Sequence, residues 1–346
     1  MAASIGVYGD GLAVEANALT GAVSASAHAG IKNGTRRYLG HPEFGSHQQD
    51  RHVAFAASEM PDGDKPVDQL TNMLDQLGEK HADADSSAAA SLVRVSTEDG
   101  PNGRSLKLEA SSIGDCDVFV AVTPGDGGPT RVQRLFDDEC FPAEFGRETP
   151  ALRKLVNGIG LDVLPETMSQ TVKFDLQPGD TATVITASDG YWDGYCDACK
   201  FIDQGMEVED ANRAIRELIG ESIDRGLADP SSPMADRLVD DIIERAEAAA
   251  RRNTDNISTT ALVIEGDKPA PSPIVIGSID GSGKVGPTEE MVDSMVADIH
   301  ERFGPSIVAA NDSQLNTEAA SRLGSWRADR APKGPTTGPE PKALKR

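Results

Sequence analysis

Positive charge is in short supply in this chain. Its 33 Lys and Arg face 56 Asp and Glu, a formal net charge of −23. A field of that sign repels phosphate backbones and anionic lipid, so neither nucleic acid nor a membrane surface is an expected partner. Cysteine is scarce too: Cys116, Cys140, Cys196 and Cys199 in 346 residues are too few for a disulfide scaffold and fit a reducing, cytoplasmic compartment. No apolar run approaches the ~18 residues that a membrane span requires. The first 26 residues hold no Lys or Arg, so a charged secretory n-region is not expected. Aromatic residues make up only 4% of the chain.

What is present is globular material, with 38% hydrophobic residues, enough for a sizeable core at this length. Residues 4–8 and 22–26 read as strands, and 52–57 as a short apolar strand. Pro66 opens a helix carrying Val67, Leu70, Met73, Leu74 and Leu77 at helical spacing. Strands follow at 88–95, 106–112 and 118–122, and 171–176 with 181–187 read as a hairpin around Gln177-Pro178-Gly179-Asp180. Two amphipathic helices, from Val208 to Ile223 and from Leu238 to Ala249, precede a β-branched strand at 257–264. Strands grouped apart from helices indicate an α+β layered fold rather than a doubly wound α/β fold.

Composition shifts after residue 266. Nine of the 21 prolines lie in the last 80 residues, around one helix at Glu289–Phe303. The expected divisions are a domain over 1–266, an extension with one helix over 267–329, and a basic, Pro/Gly-rich disordered tail over 330–346.

The chemistry-bearing segments stand where strands end. Thr183-Val184-Ile185-Thr186-Ala187-Ser188-Asp189-Gly190 runs a β-branched strand into Asp-Gly, Asp255-Asn256 comes immediately before the strand at 257–264, and Ile113-Gly114-Asp115 falls at a turn between two strands. Singly, each is also what a turn former looks like. Together, carboxylates at the ends of separate strands can converge on one edge as a hard-oxygen site for Mg²⁺ or Mn²⁺.

Seven segments in chain order carry a resemblance. They are Gln48-Gln49-Asp50-Arg51, Ser86-Ser87-Ala88-Ala89-Ala90, Ile113-Gly114-Asp115-Cys116-Asp117, Leu155-Val156-Asn157-Gly158-Ile159-Gly160, Pro165-Glu166, Ala187-Ser188-Asp189-Gly190-Tyr191-Trp192-Asp193 and Asp255-Asn256-Ile257-Ser258. Over about residues 20–266 they resemble the motifs of the metal-dependent serine/threonine protein phosphatases of the PPM, or type 2C, family. The resemblance implies a four-layer α/β/β/α sandwich with two central, mainly antiparallel sheets. It also implies a Mg²⁺ or Mn²⁺ pair, with an optional third ion, that activates water against phosphoserine or phosphothreonine of a protein substrate. Asp189 and Asp255 would hold the pair, Asp115 and Asp193 the third ion, and Gln49 a metal through water.

The family's bridging aspartate stands in Asp-Gly-His/Met-Gly-Gly after its second strand. The nearest match here is Asp62-Gly63, in Met60-Pro61-Asp62-Gly63-Asp64-Lys65, with Glu59 its competitor. Asp62 is favoured because Gly63 can offer its carbonyl as a further hard ligand, whereas Met60-Pro61 stiffens the chain after Glu59. Gly45 stands where the family keeps a phosphate-binding arginine, which leaves Arg36 and Arg37 as the nearest substitutes. His47 or His52 would replace the proton donor that His supplies in some relatives.

A monomeric phosphoprotein phosphatase is the leading expectation. Its alternative is a pseudophosphatase that keeps the fold and acts by binding a partner protein, and a third class is a metallohydrolase of small esters. Two further motifs are weak. Cys196-X-X-Cys199 has zinc-pair spacing but no second pair. Gly281-Ser282-Gly283-Lys284-Val285-Gly286 is a lone Gly-X-Gly-X-X-Gly, read as a flexible turn before the last helix.

Overall fold

The computed structural model describes residues 22–28, 50–56, 65–81, 86–100, 103–136, 167–199, 206, 208–229, 231–248, 257–268, 273–283 and 289–303. In chain order the strands are β1 (Ala22–His28), β2 (Arg51–Ala56), β3 (Ser86–Gly100), β4 (Gly103–Ile113), β5 (Asp117–Thr123), β6 (Arg131–Arg134), β7 (Met168–Leu176), β8 (Thr181–Ala187), β9 (Ile257–Glu265) and β10 (Ile274–Gly283). The helices are α1 (Pro66–Lys80), α2 (Asp189–Cys199), α3 (Val208–Ala228), α4 (Met234–Ala248) and α5 (Glu289–Phe303). None of these helices is long and apolar enough to cross a membrane.

The strands form two five-stranded antiparallel sheets, in the orders β1-β9-β8-β5-β6 and β2-β10-β3-β4-β7. Successive side chains on a strand point to opposite faces, so strands buried on both faces feed two cores. Inward, Val93, Leu106, Leu108, Val120, Val184, Leu262 and Ile276 fill the space between the sheets. Outward from the second sheet, Val53, Leu92, Val275 and Ile279 meet Leu70, Leu74 and Leu77 of α1 and Val292, Met295 and Ile299 of α5. Outward from the first sheet, Phe119, Ile185 and Ala261 meet α2, α3 and α4. Three cores between four layers are the α/β/β/α sandwich that the motif resemblance implies.

Two sequence readings change. Residues 168–176 and 181–187 are not hairpin partners: β7 pairs with β4 in the second sheet, while β8 lies between β5 and β9 in the first. The connecting turn therefore crosses between sheets. It is fixed by Gly179 at φ 91° and by the Asp180 carboxylate, which accepts from the backbone N–H of Gln177 and of Gly125, each at 2.9 Å. Periodicity alone could not reveal this, since a turn that reverses the chain and one that steps between layers share the same residue types.

The second change concerns the boundary expected near 267, which falls inside this layer system. Strand β10 lies between β2 and β3 in the second sheet, and α5 packs beside α1 on its outer face. Gly281, Ser282 and Gly283 continue β10, opposite Ala88, Ser87 and Ser86, rather than forming a turn.

Central placement explains Gly277. A Cβ there would lie 2.7 Å from the Ser91 carbonyl oxygen, 2.5 Å from Leu92 Cδ2 and 3.1 Å from Val53 Cγ2. Backbone cannot give way as a flexible side-chain tip can. Gly277→Ala is therefore expected to lower unfolding stability by about 1–3 kcal/mol, the usual range for overpacking, as read from the urea midpoint.

Candidate metal centre

Three strand ends and turns converge at one end of the sandwich. Single carboxylate oxygens of Asp115, Asp189 and Asp280 all lie within 4.8 Å of one another. Asp115 stands in the turn from β4 to β5, where Gly114 takes φ 87°, a conformation costly for other residues. Asp189 opens α2 directly after β8. Its predecessor Ser188 is clasped to β9: the Ser188 N–H donates to the Ser258 carbonyl at 3.1 Å, and the Ser258 N–H donates to Ser188 Oγ at 2.9 Å. Asp280 lies on β10. Ile279 pairs with Arg51, so one further step of that register sets Asp280 opposite the wholly buried Asp50. The site thus draws ligands from both sheets.

Helix α2 is held down by Tyr191, Trp192 and Tyr195, all buried. Trp192 stacks on Phe119 of β5 at 5.9 Å between centroids, and Tyr191 meets Tyr195 edge to face at 5.5 Å. Asp193 lies four residues beyond Asp189, on the same face of α2, and is outside the trio.

The electrostatics are adverse without a cation. Removal from water pushes the Asp280 carboxyl well above the ordinary carboxylate range, and the charges of Asp189, Asp50 and Asp115 push it further the same way. Burial raises the Cys116 thiol too, with those four carboxylates adding to the shift. Hard oxygens drawn from three elements are the donor set that Mg²⁺ or Mn²⁺ takes. Ser258 Oγ, buried at the same end, has no hydrogen-bond partner. The residues therefore fit a hydrated divalent cation, which would supply charge neutralisation and Lewis acidity when bound.

Of the residues expected from sequence, Asp115 and Asp189 come together and Asp193 lies near them. Asp62, Gly63, Glu59, Asp255, Gln49, Arg36, Arg37 and His47 lie outside the described residues. His52 is buried on β2, and desolvation, with the Arg51 charge beside it, lowers its pKa to about 4. It is therefore neutral near pH 7 and holds no proton of its own imidazolium to donate.

Asp280 is the residue that sequence reasoning missed. A signal for it existed: an apolar strand, then Asp280-Gly281, then a helix, the same succession sought around Asp62-Gly63. It lay beyond a boundary drawn on proline content.

A two-sheet sandwich with an acidic cluster at one end is the class of molecule that these observations define. No family model and no curated protein matches the chain. Among solved structures, it is similar to a serine-threonine phosphatase 2C from Toxoplasma gondii (12% identity, 70% of this chain and 94% of that chain, TM-score 0.32). It is similar also to a PPM Ser-Thr phosphatase from Mycobacterium smegmatis, solved with cacodylate (15%, 70% and 98%, TM-score 0.36). A third is a serine/threonine phosphatase from Mycobacterium tuberculosis (12%, 75% and 97%, TM-score 0.30).

Proposed function

We propose that this chain is a Mg²⁺- or Mn²⁺-dependent phosphatase acting on phosphoserine and phosphothreonine of protein substrates. The observation that carries the reading is the meeting of Asp115, Asp189 and Asp280 within 4.8 Å, since closely set carboxylates repel unless a proton or a cation is shared among them. Asp280 and Gly281 take the bridging role sought at Asp62 and Gly63: Asp280 faces Asp50 across the strand pair, and Gly281 offers a backbone carbonyl without a side chain. Asp255, two residues before β9 in the sequence, would be the further ligand of the pair; Ser188 is clasped to that same strand. Asp115 and Asp193 would remain the pair for a third ion, and Gln49 would hold a metal through water. Arg36 and Arg37 are the proposed phosphate-binding side chains, which an acidic protein needs beside its cations to hold a dianion.

Two carboxylates on α2, with one each from β10, the β4–β5 turn and the segment before β9, would fix the ions relative to both sheets. The chain's own groups would thereby orient a phosphate monoester without a covalent intermediate. The alternative, a pseudophosphatase that binds a partner protein through the same fold, is separated by one assay. Hydrolysis of p-nitrophenyl phosphate by the full chain is expected with Mn²⁺ and is expected to stop with excess chelator. Mn²⁺ binding without turnover on aryl phosphates and phosphopeptides would leave the pseudophosphatase.

A further inference from the structure

Row by row, the inward faces of the two sheets change character toward the acidic end. In the second sheet, Ala54, Ile276, Val93 and Ala110 form an aliphatic row across four adjacent strands. The next row, His52, Ser278, Ser91 and Ser112, is polar and wholly buried. One step further stand Asp50 and Asp280. In the first sheet, Leu262 and Val184 give way to Thr260 and Thr186, both wholly buried, and then to Ser258 and Ser188.

The two polar rows bond across the gap between the sheets. Ser278 Oγ donates to Thr186 Oγ1 at 3.1 Å, Thr260 Oγ1 donates to the Gly277 carbonyl at 3.5 Å, and Ser91 Oγ donates to the Asp117 carbonyl at 3.5 Å. Aliphatic contacts are non-directional and let two sheets slide by fractions of an ångström, whereas a hydrogen bond fixes a distance and an angle. Ser278 is two residues from Asp280, and Thr186 is three from Asp189. Their bond links side chain to side chain across the sheets, beneath ligands contributed by each.

We propose that Ser278 and Thr186 are positioning residues whose hydrogen bond sets the separation of Asp280 from Asp189, and so the metal affinity of the site. The inference rests on the metal-site reading above. Groups bonded directly to a ligand typically change metal affinity by ~10–100-fold; Ser278 and Thr186 act one step further out, through the strands that carry the ligands, so the low end of that range is expected.

The test is a calorimetric titration of Mn²⁺ alone into chelator-stripped full chain and four variants, with thermal melting of each metal-free protein. Thr186→Val and Ser278→Ala are each expected to weaken Mn²⁺ binding about tenfold. The double variant is expected to be no weaker than about tenfold, because either change removes the same bond. Thr186→Ser, which keeps the hydroxyl, is expected to bind as the wild type does; should Thr186→Val fail to fold, Ser278→Ala and Thr186→Ser carry the same comparison. Lowered melting with unchanged Mn²⁺ affinity would overturn the proposal and leave a bond that only stabilises the fold. So would losses that multiply to about a hundredfold in the double variant. A wild-type chain that takes up no Mn²⁺ at millimolar concentration would instead remove the metal-site reading, and this inference with it.

Discussion

Asp280→Asn is expected to remove Mn²⁺-dependent phosphatase activity, by at least about a hundredfold, while making the metal-free protein more stable. The two effects have one cause. In the folded protein the Asp280 carboxyl titrates well above its ordinary value, through burial and the nearby Asp189, Asp50 and Asp115. The folded state therefore binds more protons than the unfolded chain from about pH 4 upward, and unfolding free energy falls as pH rises through that window. The amide of Asn carries no charge, so the variant in excess chelator should melt higher than wild type at pH 7 and lose less stability between pH 4 and pH 7. With Mn²⁺ present the order should reverse, because only the wild type gains ligand-linked stability. Parallel melting curves with and without Mn²⁺ read both halves. Asp62→Asn made alongside separates the two candidates for the bridging carboxylate: wild-type turnover in Asp280→Asn together with a loss in Asp62→Asn would return the role to Asp62.

Asp115 and Asp189 were legible because each follows a recognisable strand and sits beside a glycine that frees the backbone. The four layers were legible because helix and strand periods are distinct in 66–80, 118–122 and 234–248. Asp280 was hidden for a physical reason. Gly277 interrupts the β-branched run of β10 after Ile276, and the prolines at 269, 271 and 273 lead into it with the composition of a linker. Only pairing with β2 and β3, an interaction distant in sequence, makes a strand of it. The crossing between β7 and β8 was hidden likewise, since which sheet a strand joins is decided by partners and not by its own pattern. The polar row beneath the site was visible as residues, but Ser and Thr in a strand read as solvent-facing until the register shows them buried.

The largest expected loss of stability lies at Arg134→Met. Arg134 of β6 donates from Nε to Asp117 Oδ1 at 2.6 Å, and its Nη2 lies 2.6 Å from the same oxygen, with both side chains 1% exposed. Its guanidinium carbon stands 4.3 Å from the Trp192 ring centre, a geometry that adds a cation–π attraction. Removing the cation alone leaves the Asp117 charge buried, which in comparable pairs costs about 3–5 kcal/mol. For a chain of this length that corresponds to a melting temperature lower by roughly 10 °C. Asp117→Leu alone should be comparably damaging, because it strands the guanidinium instead. The double variant Arg134→Met with Asp117→Leu should recover most of the loss, since apolar replacement of a whole buried pair is often close to neutral. Recovery of stability need not restore activity. Asp117 lies two residues after Asp115, and Trp192 stands three after Asp189 and next to Asp193, so the pair also ties the β4–β5 turn to the first turn of α2. A double variant that melts like wild type but binds Mn²⁺ less tightly would show the ion pair orienting the site as well as stabilising the fold. Equal melting with equal Mn²⁺ affinity would confine its role to stability.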